Sequence, residues 1–200
     1  MNTKRRDLEI VDHYHNALGT EKRVVRFRDL PQPAPDSIVV MEFAPAQEGY
    51  DWVYTTVGVS MKPMPDPNAS AGHPSGHRME LILHSDRNHE GLVDLILAIA
   101  VYPFDHNTFF DPGDLIAGTP GQGVVEGSPL TDILVMHPYP YPPDFETINH
   151  SDGSHTQVLW VVPIYHSERM YAREHGSRAL EVLFGKTNAP TSSFWRPPVV

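Results

Sequence analysis

Proline limits what this chain can become. There are 20 prolines among its 200 residues, about twice the ordinary share of roughly 5%. Each one fixes φ and lacks an N–H, so it disrupts a long helix or a central strand. Eleven of them fall in three clusters, at Pro31, Pro33 and Pro35, at Pro63, Pro65, Pro67 and Pro74, and at Pro138, Pro140, Pro142 and Pro143, and the other nine are scattered between and beyond these. Between the clusters only short elements fit, joined by defined turns. A long-helix bundle is therefore excluded.

The intervening segments have legible periods. Over residues 6–18, Ile10, Val11, Tyr14, Ala17 and Leu18 share a helical face, and Gly19 follows as a C-cap. Strands are predicted at 22–28, 37–43 and 51–60 from their alternation and β-branched content. Residues 61–77 read as loop. Residues 78–84 alternate, with Met79, Leu81 and Leu83 opposite Glu80. A helix at 92–102, apolar nearly all round, is expected to be buried and to stop at Pro103. Short strands are predicted at 114–117 and 132–136. Residues 157–164 are apolar on both faces, which places them inside a sheet with Pro163 at an end or bulge. A helix at 167–184, broken at Gly176, follows. The expected fold class is α/β (α+β), a mixed β-sheet with helices packed on it. One domain is expected over 1–185, with a tail at 186–200.

Composition removes several functions. With no cysteine, the chain has no disulfide framework, cysteine-bound zinc or thiol nucleophile. The basic start has no apolar run behind it, so it does not read as a secretory signal. Its longest apolar stretch, 95–102, is far short of the roughly 20 residues a membrane helix needs. The expected location is the cytoplasm. A net charge of −10 repels phosphate backbones and favours a basic protein partner. No cofactor is expected, and oligomeric state stays open.

Twelve histidines raise the question of a metal. His13 and His15 point about 200° apart on a helix and cannot share an ion. His73 and His77 flank a loop that can bend to chelate, but zinc needs three or four ligands. His84, His89 or Glu80 would have to complete the set. A metal-dependent enzyme using His73 and His77 is the alternative function. His150 and His155 bracket a plain turn. The stretch Gly118-Thr-Pro-Gly-Gln-Gly123 lacks the lysine and helix of a phosphate loop. No Gly-x-Ser-x-Gly elbow is present. The run His137-Pro-Tyr-Pro-Tyr-Pro-Pro143 reads as a polyproline ligand or as a rigid connection with stacked tyrosines. Trp52 and Tyr54 share a strand face and serve either the core or an aromatic interface anchor.

In order, these segments resemble the suppressor of fused (SUFU) family. The resemblance rests on Asp51-Trp-Val-Tyr-Thr-Thr-Val-Gly58-Val-Ser60, Met79-Glu80-Leu81 in a strand, and the apolar helix 92–102. It continues through Gly113-Asp-Leu-Ile, Ser128-Pro-Leu-Thr-Asp-Ile-Leu-Val, Val161-Val-Pro163-Ile and Glu168 to Gly176 and Leu180, covering roughly 5–185. It implies a non-catalytic protein-binding module. Animal members hold a transcription factor in Hedgehog signalling. Single-domain bacterial relatives look like immunity proteins of polymorphic toxin systems. The second domain that completes the animal ligand clamp is not matched here, which favours the bacterial reading and a basic toxin domain as partner. The partner contacts expected are Trp52, Tyr54 and Glu80, with Glu80 either bonding a neighbouring loop or facing the partner.

Overall fold

A computed structural model describes residues 3–67 and 76–200. Helix α1 (Thr3–Leu18) opens the chain, followed by strands β1 (Arg23–Arg28), β2 (Ser37–Phe43) and β3 (Trp52–Val57). After β4 (Met79–Ser85) come helix α2 (Gly91–Asp105), β5 (Leu115–Ile116), β6 (Asp132–Met136), β7 (Thr147–Asn149) and β8 (His155–Ile164). Helices α3 (His166–His175) and α4 (Ser177–Thr187) complete the regular structure.

The strands form one mixed sheet in the order β1-β2-β3-β4-β8-β6-β5, with β7 paired to β8. Only β4 and β8 run parallel, with Leu81 opposite Leu159; the other pairs are antiparallel. Because side chains alternate across a strand, each strand feeds two cores. Met79, Leu81, Leu83, Leu159 and Val161 meet Leu92, Ile96, Ala100 and Phe104 of α2. On the other face Ile82, Val158, Trp160 and Val162 meet Ile10 and Tyr14 of α1, Ala172 of α3, and Leu180 and Phe184 of α4. Fully burying one such side chain stabilises by about 1.5–3 kcal/mol.

The mixed sheet with packed helices agrees with the expected class, and several boundaries move. Strand β3 ends at Val57 rather than 60, because Gly58 takes φ 110° and a 3-10 turn, Val59–Met61, begins. Helix α2 does not stop at Pro103 but runs on to Asp105. Pro103 costs only one bond so near the helix end, while Phe104 beyond it, 4% exposed, is buried in the core. Strand β7, three residues long, had no sequence signal. The break at Gly176, φ 89°, falls where expected and separates α3 from α4.

Residues beyond α4, read as part of a tail, are irregular yet firmly held. Phe194 is wholly buried, and its carbonyl accepts a bond of 2.7 Å from the Ser128 hydroxyl. The Asp86 N–H donates to the Ser192 carbonyl at 3.1 Å. Arg196 grips Glu168 of α3 with two nitrogens, at 2.6 and 2.7 Å. Among the described residues, no helix is long and apolar enough to cross a membrane.

Candidate functional site

Glu80 lies at the centre of a buried polar network. It leaves β4 on the face covered by α1, so its carboxylate is 0% exposed. Neutral donors surround it. The Thr56 hydroxyl donates to Oε2 at 2.7 Å. Oε1 accepts from the Gly58 N–H at 3.0 Å, the Ser60 N–H at 3.0 Å and the Ser60 hydroxyl at 2.7 Å. Gly58 makes this possible, because a Cβ there would lie 2.7 Å from the Ser37 carbonyl oxygen and φ is in the left-handed region. Burial pushes the Glu80 carboxyl up to about 7, against the pull of its donors.

Two guanidiniums stand just outside this nest. Arg78 and Arg6 both donate to the Ser60 carbonyl, at 2.5 and 3.5 Å. Arg6 also reaches Asp152 and Ser154 of the β7–β8 turn, each at 2.8 Å. Bonds from the Ser154 hydroxyl and N–H, with help from Arg6, hold the Asp152 carboxyl well below its usual range. One turn along α1, Glu9 bonds His150 at 2.9 Å, and His150 bonds the Thr156 hydroxyl at 2.8 Å. The network joins α1, β3, β4 and the β7–β8 turn.

This geometry decides between the two roles expected of Glu80. It bonds the neighbouring 58–60 loop, and it cannot touch a partner in this conformation. Tyr54 is likewise 0% exposed, lying in the core under α2. Trp52 is half-buried, with the Lys22 ammonium 4.3 Å from its ring centroid. Of the three expected contacts, Trp52 alone keeps some surface.

Several histidines have partners of their own. His13 bonds the Phe145 carbonyl, and burial lowers its pKa. His15 bonds Glu21 and His137 bonds Glu146. His77 is exposed and stacks on Phe109, centroids 6.0 Å apart; His73 lies outside the described residues. Among the described residues no group of three His, Asp or Glu is placed to hold a metal ion.

One constellation could not be read without the strand register. His84 Nε2 lies 3.1 Å from the Tyr141 hydroxyl, and its Nδ1 is 3.6 Å from Asp51. The sequence of groups is that of an acid–imidazole–hydroxyl relay. Its electrostatics run the other way: burial, then the Asp51 charge, push the Tyr141 phenol upward, so the hydroxyl holds its proton. Tyr141 also stacks on Phe145, centroids 4.0 Å apart, and residues 139–141 form a turn. The 137–143 run is thus a rigid connection with a stacked tyrosine rather than an extended polyproline ligand. In the 118–123 loop, a Cβ on Gly118 would collide with the Thr131 carbonyl oxygen. That glycine serves close backbone packing.

Comparison with known proteins fits these observations. The family model of suppressor of fused protein (SUFU) matches residues 34–193. A putative SUFU homologue from Neisseria gonorrhoeae superposes with a TM-score of 0.74 at 18% identity, covering 98% of this chain and 97% of that one. Drosophila Suppressor of Fused gives a TM-score of 0.70 at 16% identity, over 98% of this chain and 51% of that one. A Sufu–Fu complex gives 0.65 at 15% identity, over 90% and 84%. No curated protein matches the chain. At these identities the structures establish the fold, and the family model establishes descent: the chain belongs to the suppressor of fused family.

Proposed function

We propose that this chain is a non-catalytic, cytoplasmic protein-binding module that occupies and blocks a single protein partner, and that the partner is a toxin domain for which it serves as immunity protein. The observation that carries the binding reading is the fold match over 90% of the chain to a structure of Sufu in complex with Fu. The chemistry of the molecule supports it. Its best-organised polar groups, Glu80 and the Glu168–Arg196 pair, bond inward and are sealed from solvent. The hydroxyl of the His84 relay is held protonated rather than activated. A net charge of −10 accelerates encounter with a basic partner in a salt-dependent way.

The test is affinity capture of the tagged chain from lysate of its own organism at low salt, with identification and stoichiometry by mass spectrometry. One partner near 1:1 is expected. Expressing that partner alone should arrest growth, and co-expressing this chain should restore it. A stoichiometric partner that is harmless to cells would remove the immunity role and leave the binding role. Failure to retain any partner would overturn both.

A further inference from the structure

The sheet has two free ends, and they differ in charge and length. At one end β5 is only two residues long, with Asp111 and Asp114 just before it. At the other end β1 runs six residues with exposed or half-buried side chains throughout. In the strand order it has β2 on one side and no strand on the other. Its outer row of N–H and C=O groups is therefore a template for another strand.

The charge on this edge is opposite to that of the molecule. Lys22, Arg23, Arg26 and Arg28 fall within seven residues with no carboxylate among them, in a chain of net charge −10. Neighbouring acids neutralise this only in part. Arg23 lies 4.0 Å from Glu42, and Glu21 is taken by His15. Arg26 acts on Asp7, but burial dominates there and raises the Asp7 carboxyl. Arg28 has no hydrogen-bond or ion-pair partner among the described residues. The side chains alternate usefully: Val25 and Phe27 pack toward the α2 core, while Val24, 48% exposed, shares the opposite, open face with Arg26 and Arg28.

We propose that β1 is a docking edge for an extended acidic segment of a partner protein, which adds to the sheet as a further strand. This rests on the protein-binding reading and assigns it a face and a ligand chemistry. Edge cations ordinarily keep sheets apart, and here they do so selectively. A second β1 would bring like charges opposite one another, which is unfavourable. Strand β5 of another copy has a suitable charge but only two residues to pair. An acidic strand is attracted at this edge and repelled by the acidic remainder of the surface. Only the docking segment need be acidic, so a partner of net positive charge is compatible. About six residues, roughly 20 Å of strand, would be covered.

The probe is a fluorescein-labelled heptapeptide alternating Glu and Val, compared with its Lys–Val counterpart by fluorescence anisotropy on the full chain. The acidic peptide is expected to bind and the lysine peptide not to. Added salt should weaken binding, and amides 23–28 should gain hydrogen-exchange protection. The double variant Arg26→Glu/Arg28→Glu, both at exposed positions, should lose affinity about ten-fold or more. The proposal is overturned by no binding, by equal binding of both peptides, or by protection mapping elsewhere. Tighter binding of an eight-nucleotide oligo(dT) through the same arginines would also overturn it, as would dimers by light scattering that depend on those arginines. Partner capture separates the two levels. A partner retained equally by wild type and double variant sinks the β1 edge and leaves the binding reading intact, whereas loss of any partner from both sinks the reading itself.

Discussion

Glu80 on β4 and Glu168 on α3 have both lost all contact with water, and the fold accommodates them by opposite means. Glu168 faces a guanidinium that is itself fully buried, in a two-pronged pair with Arg196, and it also accepts the Tyr165 and Val199 N–H groups. Glu80 has neutral donors only, from Thr56, Gly58 and Ser60. A carboxylate held by dipoles keeps much of its desolvation penalty, which is why its proton affinity rises. One held by a cation transfers the penalty to the pair, so the cost appears when either member is removed. The first arrangement shapes a turn, and the second fastens the segment after α4 to α3.

The largest effect expected from this contrast is at Arg196. Arg196→Met leaves a buried, unpaired Glu168 and should cost about 3–5 kcal/mol in urea unfolding. Adding Glu168→Leu should recover most of that loss. If the double variant is no better than the single one, the pair is not the source of the cost.

Glu80 comes next and carries a pH signature. Its folded pKa, about 7, exceeds the ordinary 4.5, so the folded state binds the extra proton. The resulting stabilisation is complete below pH ~4.5 and is lost as pH rises through about 7. At about 1.4 kcal/mol per pKa unit, the span is up to about 3 kcal/mol. Glu80→Gln should remove this component, so wild type gains on the variant as pH falls from 8 to 5 in paired unfolding experiments. A difference that does not change with pH would show Glu80 to be ionised throughout.

Gly58 gives the smallest of the three effects. Gly58→Ala forces a methyl to 2.7 Å from the Ser37 carbonyl oxygen at φ 110°, at a cost of about 2 kcal/mol. Thermal denaturation measures it, and the loss should shrink if Glu80 is already Gln, because the two positions share one turn.

Which parts of this were legible follows from the layering. Periodicity located β1 to β4, α2, β6 and β8, because their apolar residues face cores whose spacing is a local property. It left open whether Glu80 bonds a loop or faces a partner, since alternation marks only one apolar face; α1, α3 and α4 cover the second face, where Glu80 is buried on the same side of β4 as Ile82. Residues such as Phe194 and Arg196 sit among prolines and polar residues, and their partners, Ser128 and Glu168, are 66 and 28 positions away. No local pattern carries that information. Strand β7 is three residues long, too short for any period to register. The Asp51–His84–Tyr141 contact depends on the register of β3 against β4, which pairs Val53 with His84.

The parallel seam between β4 and β8 has a kinetic meaning. On one side of it, β1 to β4 are joined in sequence order, each to the next. On the other side, β5 to β8 pair among themselves. The seam brings Leu81 to Leu159, so nearly eighty residues must be looped out before its first contact forms. Closing so long a loop is entropically unfavourable, and non-local pairing slows folding. Two halves can thus gather early, one as a meander of β1 to β4 and the other as antiparallel pairs among β5 to β8, while the complete sheet, with both its cores, waits on one late encounter at its middle.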